Sequence, residues 1–361
     1  MQYEARLAVP NFVWLIGCIF MLGFVLTFSI LLLMVQLPTD SLSQGNLLFA
    51  FLAVILLAVA GAGKLILLSG QKFALMSALW LILFNLVLGL VFAPIEHFWL
   101  QLLLLSLLLV AGIVSFIVTI PAVVLTATDD LASERVCLSY AFKYLGATFA
   151  LVLLSSVLAK SQVLQPLDPL HYKVIYTGLT LILAAFMFLF SQSQSVDKSA
   201  NWLQQNNLPL VKMSPWYLAI LISAAWQGAL VKYLSSSSEV AFLNEVTHEL
   251  LSYLALYSVG SLIGLFAAAI GLNWLKAKVL IQFALLATAV LCALHWSQVE
   301  LNKHISLLGL ILTSSCLVPI FFAQALANAN KHSNQFIYVA MGLSIALVVG
   351  ITLGFNLVAN N

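Results

Sequence analysis

Charge is what this sequence has least of. Only 7% of its 361 residues are Asp, Glu, Lys or Arg, where soluble domains carry about 25%. Fourteen basic and twelve acidic side chains cannot cover the water-facing surface of a body this large. The shortage excludes a cytosolic enzyme, a secreted disulfide scaffold, a nucleic-acid binder and a disordered regulator. Cysteine is scarce too. Cys18, Cys137, Cys292 and Cys316 lie in or beside apolar runs with no CxxC or Cys/His spacing, so they read as small packed hydrophobes rather than a disulfide or metal set. No GxSxG, P-loop, HExxH or GxGxxG stands in a suitable context. The reading therefore holds no enzyme, no nucleotide-driven pump, no catalytic residue and no cofactor. The most informative absence concerns acids: no Asp or Glu falls near the middle of a long apolar run. A buried carboxylate is the usual seat of proton coupling, and its absence argues against that mechanism.

What is present is apolar length. Hydrophobic residues make up 63% of the chain, with a mean hydropathy of +1.11. A helical membrane span needs about 20 apolar residues. Eleven stretches qualify, at 10–36, 46–68, 72–93, 98–126, 137–159, 171–191, 215–235, 250–272, 277–296, 304–327 and 335–357. They lack the alternation of β-barrel strands, and the fold class is an all-α polytopic membrane bundle. The first run is a full span without a signal peptide's short core and small-residue exit site, so it is expected to stay in the mature protein. With the N-terminus cytoplasmic, inside segments hold Arg6, Lys64, Lys72, Arg135, Lys143, Lys198, Lys212, Lys276, Lys278 and Lys331. Outside segments hold Lys160, Lys173, Lys232 and Lys303. Ten against four is a positive-inside asymmetry. It leaves Asn361 outside, and with such short loops it fits a bacterial inner membrane.

One long hydrophilic segment, 191–214, is rich in Ser, Gln and Asn. It reads as a cytoplasmic linker between a six-helix bundle, 1–190, and a five-helix bundle, 215–361. Trp202, Leu203, Leu208 and Leu210 allow either a short interfacial helix within it or a plain connector. The two halves carry matching breakers. Pro10 answers to Pro215, Gly63 and Gly70 to Gly264 and Gly271, Pro121 to Pro319, and Gly146 to Gly342. Their offsets fall from 205 to 196, as in a parallel repeat of the kind transporters are built from.

In this layout the chain resembles the major facilitator superfamily. That family carries Gly-x-x-x-Asp-Arg-x-Gly-Arg-Arg/Lys between its second and third helices. Here Gly63-Lys64-Leu65-Ile66-Leu67-Leu68-Ser69-Gly70-Gln71-Lys72 keeps both glycines and the terminal base, but has Leu67, Leu68 and Gln71 in place of the Asp, the Arg and the first closing base. The run from Pro121 through Asp129, Asp130, Glu134 and Arg135 to Gly146 is also similar to the family's pattern. The resemblance implies two pseudo-repeated bundles, a gating turn at Gly63, Gly70 and Lys72 with its repeat at Gly264 and Gly271, and a cavity lined by the first, fourth, seventh and tenth spans. It implies a secondary carrier of a small solute by alternating access. The family has twelve spans, and this chain stops after the eleventh. With the Asp and Arg of the turn replaced, the rival reading is a carrier-fold protein that acts as a membrane partner or assembly subunit, its protein partner unknown.

Intramembrane charge is the first place to look for function. Lys143 is the deepest cation, about two turns into the fifth span; it either meets an anionic solute in a cavity or snorkels to the headgroups. Polar uncharged residues follow: Ser115 and Thr119 in the fourth span, Ser223, Trp226 and Gln227 in the seventh, Tyr257 in the eighth, Ser314 and Ser315 in the tenth. Each either lines a cavity or hydrogen-bonds between packed helices. So few polar groups suit an amphipathic or apolar solute better than a sugar. Glu245, His248 and Glu249 share one helix face, but acids after Asn244 also make an N-cap and first turn; no metal site is assigned.

Overall fold

The computed structural model describes residues 5–34, 44–95, 97–127, 131–159, 169–193, 195–200, 210–236, 248–296, 303–329 and 335–359. Its helices are α1 (Phe12–Met34), α2 (Gln44–Ser69), α3 (Gln71–Phe92), α4 (Phe98–Thr126), α5 (Ala132–Ala159), α6 (Pro169–Ser191), α7 (Leu210–Ser236), α8 (His248–Leu272), α9 (Ala277–Trp296), α10 (Lys303–Ser314), α11 (Leu317–Asn328) and α12 (Gln335–Ala359). All eleven expected spans are present, with ends displaced by no more than five residues. Helix is the only open structure whose backbone is satisfied in lipid, because every N–H and C=O bonds within its own segment. Ten of the spans are long and apolar enough to cross a membrane, and α2 holds a shorter apolar stretch, Leu57–Ile66.

The tenth span is two helices, and the sequence explains the break. Pro319 has no N–H for the carbonyl four residues back, and its ring crowds that carbonyl. The residue four back is Ser315, and Ser315–Cys316 form the turn between α10 and α11. Pro121, the expected counterpart, lies within an unbroken α4.

Turns and helix ends are satisfied by side chains that reach across. Gly70 joins α2 to α3 at φ 82° and ψ 170°, a backbone region almost confined to glycine that costs other residues about 1–3 kcal/mol. Two residues on, the Lys72 ammonium donates to the Ser191 carbonyl at 3.0 Å and the Ser193 carbonyl at 2.6 Å. Arg135 donates to the Thr126 carbonyl at 2.6 Å and lies 4.9 Å from the Phe12 ring centre. These contacts gather the start of α1, the α2–α3 turn and the end of α6 on one side, here termed the Gly70 face. Strand β1 (Ala5–Pro10) pairs antiparallel with β2 (Ser195–Ala200), Ala5 opposite Ala200, so the N-terminal residues and the 191–214 segment share that face. Residues 201–209 lie outside the described residues; Leu210 opens α7.

Glycines set the closest helix crossings, and they correct the register of the repeat. In α1 and α5, a Cβ at Gly23 would run into the Lys143 carbonyl, and one at Gly146 into the Phe20 carbonyl. In α7 and α12, a Cβ at Gly228 would run into the Ile351 carbonyl, and one at Gly354 into the Ala225 carbonyl. The two crossings are the same arrangement used twice. Gly23 matches Gly228 and Phe20 matches Ala225 at offset 205, while Lys143 matches Ile351 and Gly146 matches Gly354 at offset 208. The partner of Gly146 is thus Gly354 rather than Gly342, which meets the Tyr217 ring. Sequence offsets alone could not choose between two glycines three turns apart on one helix.

Candidate functional site

Lys143 stands eleven residues into α5, about 16 Å from its start at 1.5 Å per residue. That is near mid-depth of a hydrocarbon layer about 30 Å thick. Its side chain is accessible and lines a cavity. The ammonium sits 5.7 Å from the centre of the Phe116 ring and 5.9 Å from that of Tyr140. Among the described residues no carboxylate meets it.

The cavity occupies about 200 Å³ between α1, α4 and α5. Ile19, Leu22, Leu26 and Ile30 recur at helical spacing along the α1 wall, and Leu108, Leu109 and Ile113 line the α4 wall. Its polar groups gather at the end nearer the Gly70 face: Ser115, Thr119, Ser139, Tyr140 and Lys143. Three of their hydroxyls are already committed on their own helices. Ser115 donates to the Gly112 carbonyl, Thr119 to the Ser115 carbonyl and Ser139 to the Arg135 carbonyl, each at 2.7 Å. The Tyr140 hydroxyl is buried and has no hydrogen-bond partner among the described residues.

Of the nine cavity residues expected from sequence, the structure brings Ser115, Thr119 and Lys143 together here. Trp226 lines a separate space of about 110 Å³ with Tyr233 and His295, and its indole N–H has no partner among the described residues. Tyr257 packs edge-on against Tyr144, ring centres 6.1 Å apart, across the α5–α8 crossing. Ser223 is buried in α7 and Gln227 is half-buried there. Ser314 donates to the Leu310 carbonyl at 2.7 Å and Ser315 to the Leu312 carbonyl at 3.1 Å, beside the break before α11. Most of these Ser and Thr groups bond their own helix. Hydroxyls that link one helix to another include the pair Thr148 and Ser258 at 2.8 Å, and Thr288, which donates to Thr313 at 3.0 Å.

Of the expected gating residues, Gly70 occupies a turn and Lys72 anchors it. Gly271 ends α8, its carbonyl accepting the Trp274 and Leu275 N–H groups at 3.1 and 2.8 Å. Gly63 and Gly264 lie inside helices at close crossings, Gly63 against Met341 of α12 and Gly264 against Leu312 and Ser315. Glu245 lies outside the described residues, as do the side chains of His248 and Glu249.

Sequence reasoning passed over Phe116 and Tyr140. Tyr140 precedes Lys143 by three residues, and Phe116 adjoins Ser115 and precedes Thr119 by three, so the helical period alone placed each beside a candidate. The Phe116 ring also links the cavity to the second half. It packs edge-on against Tyr140 at 5.9 Å and against Phe322 of α11 at 5.6 Å. One turn nearer the Gly70 face the Gln324 amide donates to the Ser133 hydroxyl at 2.8 Å. Helix α11 therefore closes on α4 and α5 between the cavity and that face.

Solved structures share this arrangement. A structure of FucP, a major facilitator superfamily transporter in the outward conformation, matches 97% of this chain and 90% of its own at TM-score 0.76 and 18% identity. The chain has the major facilitator fold. A second structure, of a variant of the E. coli fucose:proton symporter, matches 97% of this chain and 90% of its own at TM-score 0.72 and 18% identity. The human organic anion transporter MFSD10 matches 96% of this chain and 93% of its own at TM-score 0.66 and 13% identity. No family model and no curated protein sequence matches. With this fold and these apolar helices, the protein is an integral membrane protein with a transporter architecture.

Proposed function

We propose that the chain is a secondary carrier that moves a small amphipathic solute by alternating access, binding it in the α1–α4–α5 cavity. One observation carries the reading: an unpaired lysine at mid-depth faces a cavity whose path to the Gly70 face is shut by α11. A central lysine costs a span about 2.5–3.5 kcal/mol, a cost without purpose in a structural bundle. The segments 1–190 and 215–361 are the two bodies that rock, with 191–214 as their linker. The Gly70 turn and its Lys72 anchor hold the first body's end while α11 leaves α4 and α5. The positive-inside count places the Gly70 face in the cytoplasm, in a bacterial inner membrane. A cavity shut on that side corresponds to an outward state, the conformation of the FucP structure.

The carrier is tested with two reporters in a background lacking the four native cysteines. Ser115→Cys reports on the cavity and Ser133→Cys on the closure beneath it. Impermeant thiol reagents are applied from each side of oriented liposomes, alongside uptake measurements. Labelling of Ser115→Cys from both sides, together with solute flux, is the expected result. Labelling from one side only, with no flux, overturns the carrier in favour of the membrane-partner reading.

A further inference from the structure

We infer that the solute is a small monoanionic amphiphile, its anionic head held by Lys143 and its apolar body lying against α1 and α4. The inference rests on the carrier reading for its biological sense, and on the cavity itself for its chemistry. The hydrogen-bonding capacity left unspent at the polar end is donor capacity. Ser115, Thr119 and Ser139 have already given their protons to backbone carbonyls. Among the described residues the Lys143 ammonium meets no acceptor and stands over the Phe116 and Tyr140 rings. A charge held at mid-span costs about 2.5–3.5 kcal/mol, and an anionic head that accepts from the ammonium offsets part of that cost. A cation is repelled, and a neutral alcohol fills only part of that capacity.

Size and shape narrow the class further. About 200 Å³ lies below the roughly 300–1,000 Å³ of drug-sized pockets, so the ligand is a single ring or a short chain rather than a two-chain lipid. The walls formed by Ile19, Leu22, Leu26, Ile30, Leu108, Leu109 and Ile113 offer it no polar group. The repeat supplies an internal control. The position that matches Lys143 in the second half is Ile351, so the charge belongs to one half of the molecule, and a single anionic group suffices to meet it.

The experiment uses the full chain in nanodiscs and radiolabelled benzoate as the probe. Unlabelled hexanoate and benzenesulfonate serve as anionic competitors, and benzyl alcohol and benzylamine as neutral and cationic ones. Benzoate is expected to bind and to be displaced by the anions alone. Lys143→Gln weakens binding about 10- to 150-fold, the loss of a charge-assisted hydrogen bond, while Lys143→Arg restores most of it. An unchanged melting temperature keeps the effect local. Failure of every anion, or equal displacement by benzyl alcohol, overturns the inference. Loss of benzoate binding on adding phosphatidylglycerol to phosphatidylcholine nanodiscs assigns the cavity to a lipid head group and overturns the soluble solute. Lys143-dependent binding without flux into liposomes sinks the carrier and leaves the anion site standing. Flux of a neutral solute that is indifferent to Lys143→Gln does the reverse.

Discussion

Single side chains carry two kinds of work here, and glycine does the first. Where two helices cross with backbone against backbone, a Cβ has nowhere to go: Gly146 faces the Phe20 carbonyl, and neither helix can move without disturbing Lys143 one turn away. Gly146→Val is expected to cost at least the 1–3 kcal/mol of an overpacked core, seen as a lower melting temperature in detergent and weaker benzoate binding. Gly61 is the contrast, since nothing lies within 4 Å of a Cβ there. Gly61→Ala should leave stability unchanged or raise it by about 0.5–1 kcal/mol, the helix penalty of glycine. Equal losses at the two positions would show that crossing distance is not what selects Gly146. Gly70→Ala belongs with Gly146, because its backbone at φ 82° and ψ 170° should make the change cost about 1–3 kcal/mol in the same melting assay. The second kind of work is done by Lys143, whose ammonium meets no acceptor among the described residues and gives the cavity one charged end.

Among the helices, the tenth span differs in kind from the rest. Its break places the Ser315–Cys316 turn within the bundle, with α10 packed on α8 and α9 and α11 on α5 and α7. Pro319 creates the joint by denying the Ser315 carbonyl a donor. In Pro319→Ala the new N–H can reach that carbonyl and fuse the two helices, a gain of up to about 3 kcal/mol for the continuous form. Amide exchange at 316–320 should then slow and turnover should fall, because α11 no longer moves independently. Exchange unchanged from the native chain would show that tertiary packing, not proline, holds the break open. The α1–α5 and α7–α12 crossings are the rigid counterparts of this joint, each locked by reciprocal glycine–carbonyl contacts.

For the whole molecule, the question is what holds the Gly70 face shut. Contacts that bridge the halves there include the Phe116–Phe322 ring pair and the bond from Gln324 to Ser133. An aromatic pair contributes about 0.5–1.5 kcal/mol and a hydrogen bond a similar amount. Together they bias a two-state equilibrium by about 1–3 kcal/mol, or roughly 5- to 150-fold. Phe322→Ala in the Ser133→Cys reporter removes both contacts. Labelling from the Gly70 face should accelerate by at least several-fold, and saturating benzoate should change that rate if the ligand is coupled to closure. Phe116 is the element of coupling, since one ring touches the ammonium, Tyr140 and Phe322.

The helices were almost wholly legible in the amino-acid order, because lipid demands long uninterrupted apolar segments and the sparse charges can only stand between them. Lys143 was legible too, as a cation where none is expected, but its surroundings were not. Whether a lysine two turns into a span reaches the headgroups or a cavity depends on which helices flank it, and α1 lies more than a hundred residues away in the chain. The same limit misplaced the repeat: Gly342 and Gly354 are equally good glycines until α7 lies against one edge of α12. It also scattered the expected polar set, joining Ser115 and Thr119 to Lys143 while Trp226 and Tyr257 went to other neighbours. Composition and periodicity determine what each helix is, since those depend on the solvent around a single segment. Only the packing decides which unspent donors meet across helices, because that choice is made by shape between segments that the chain holds far apart.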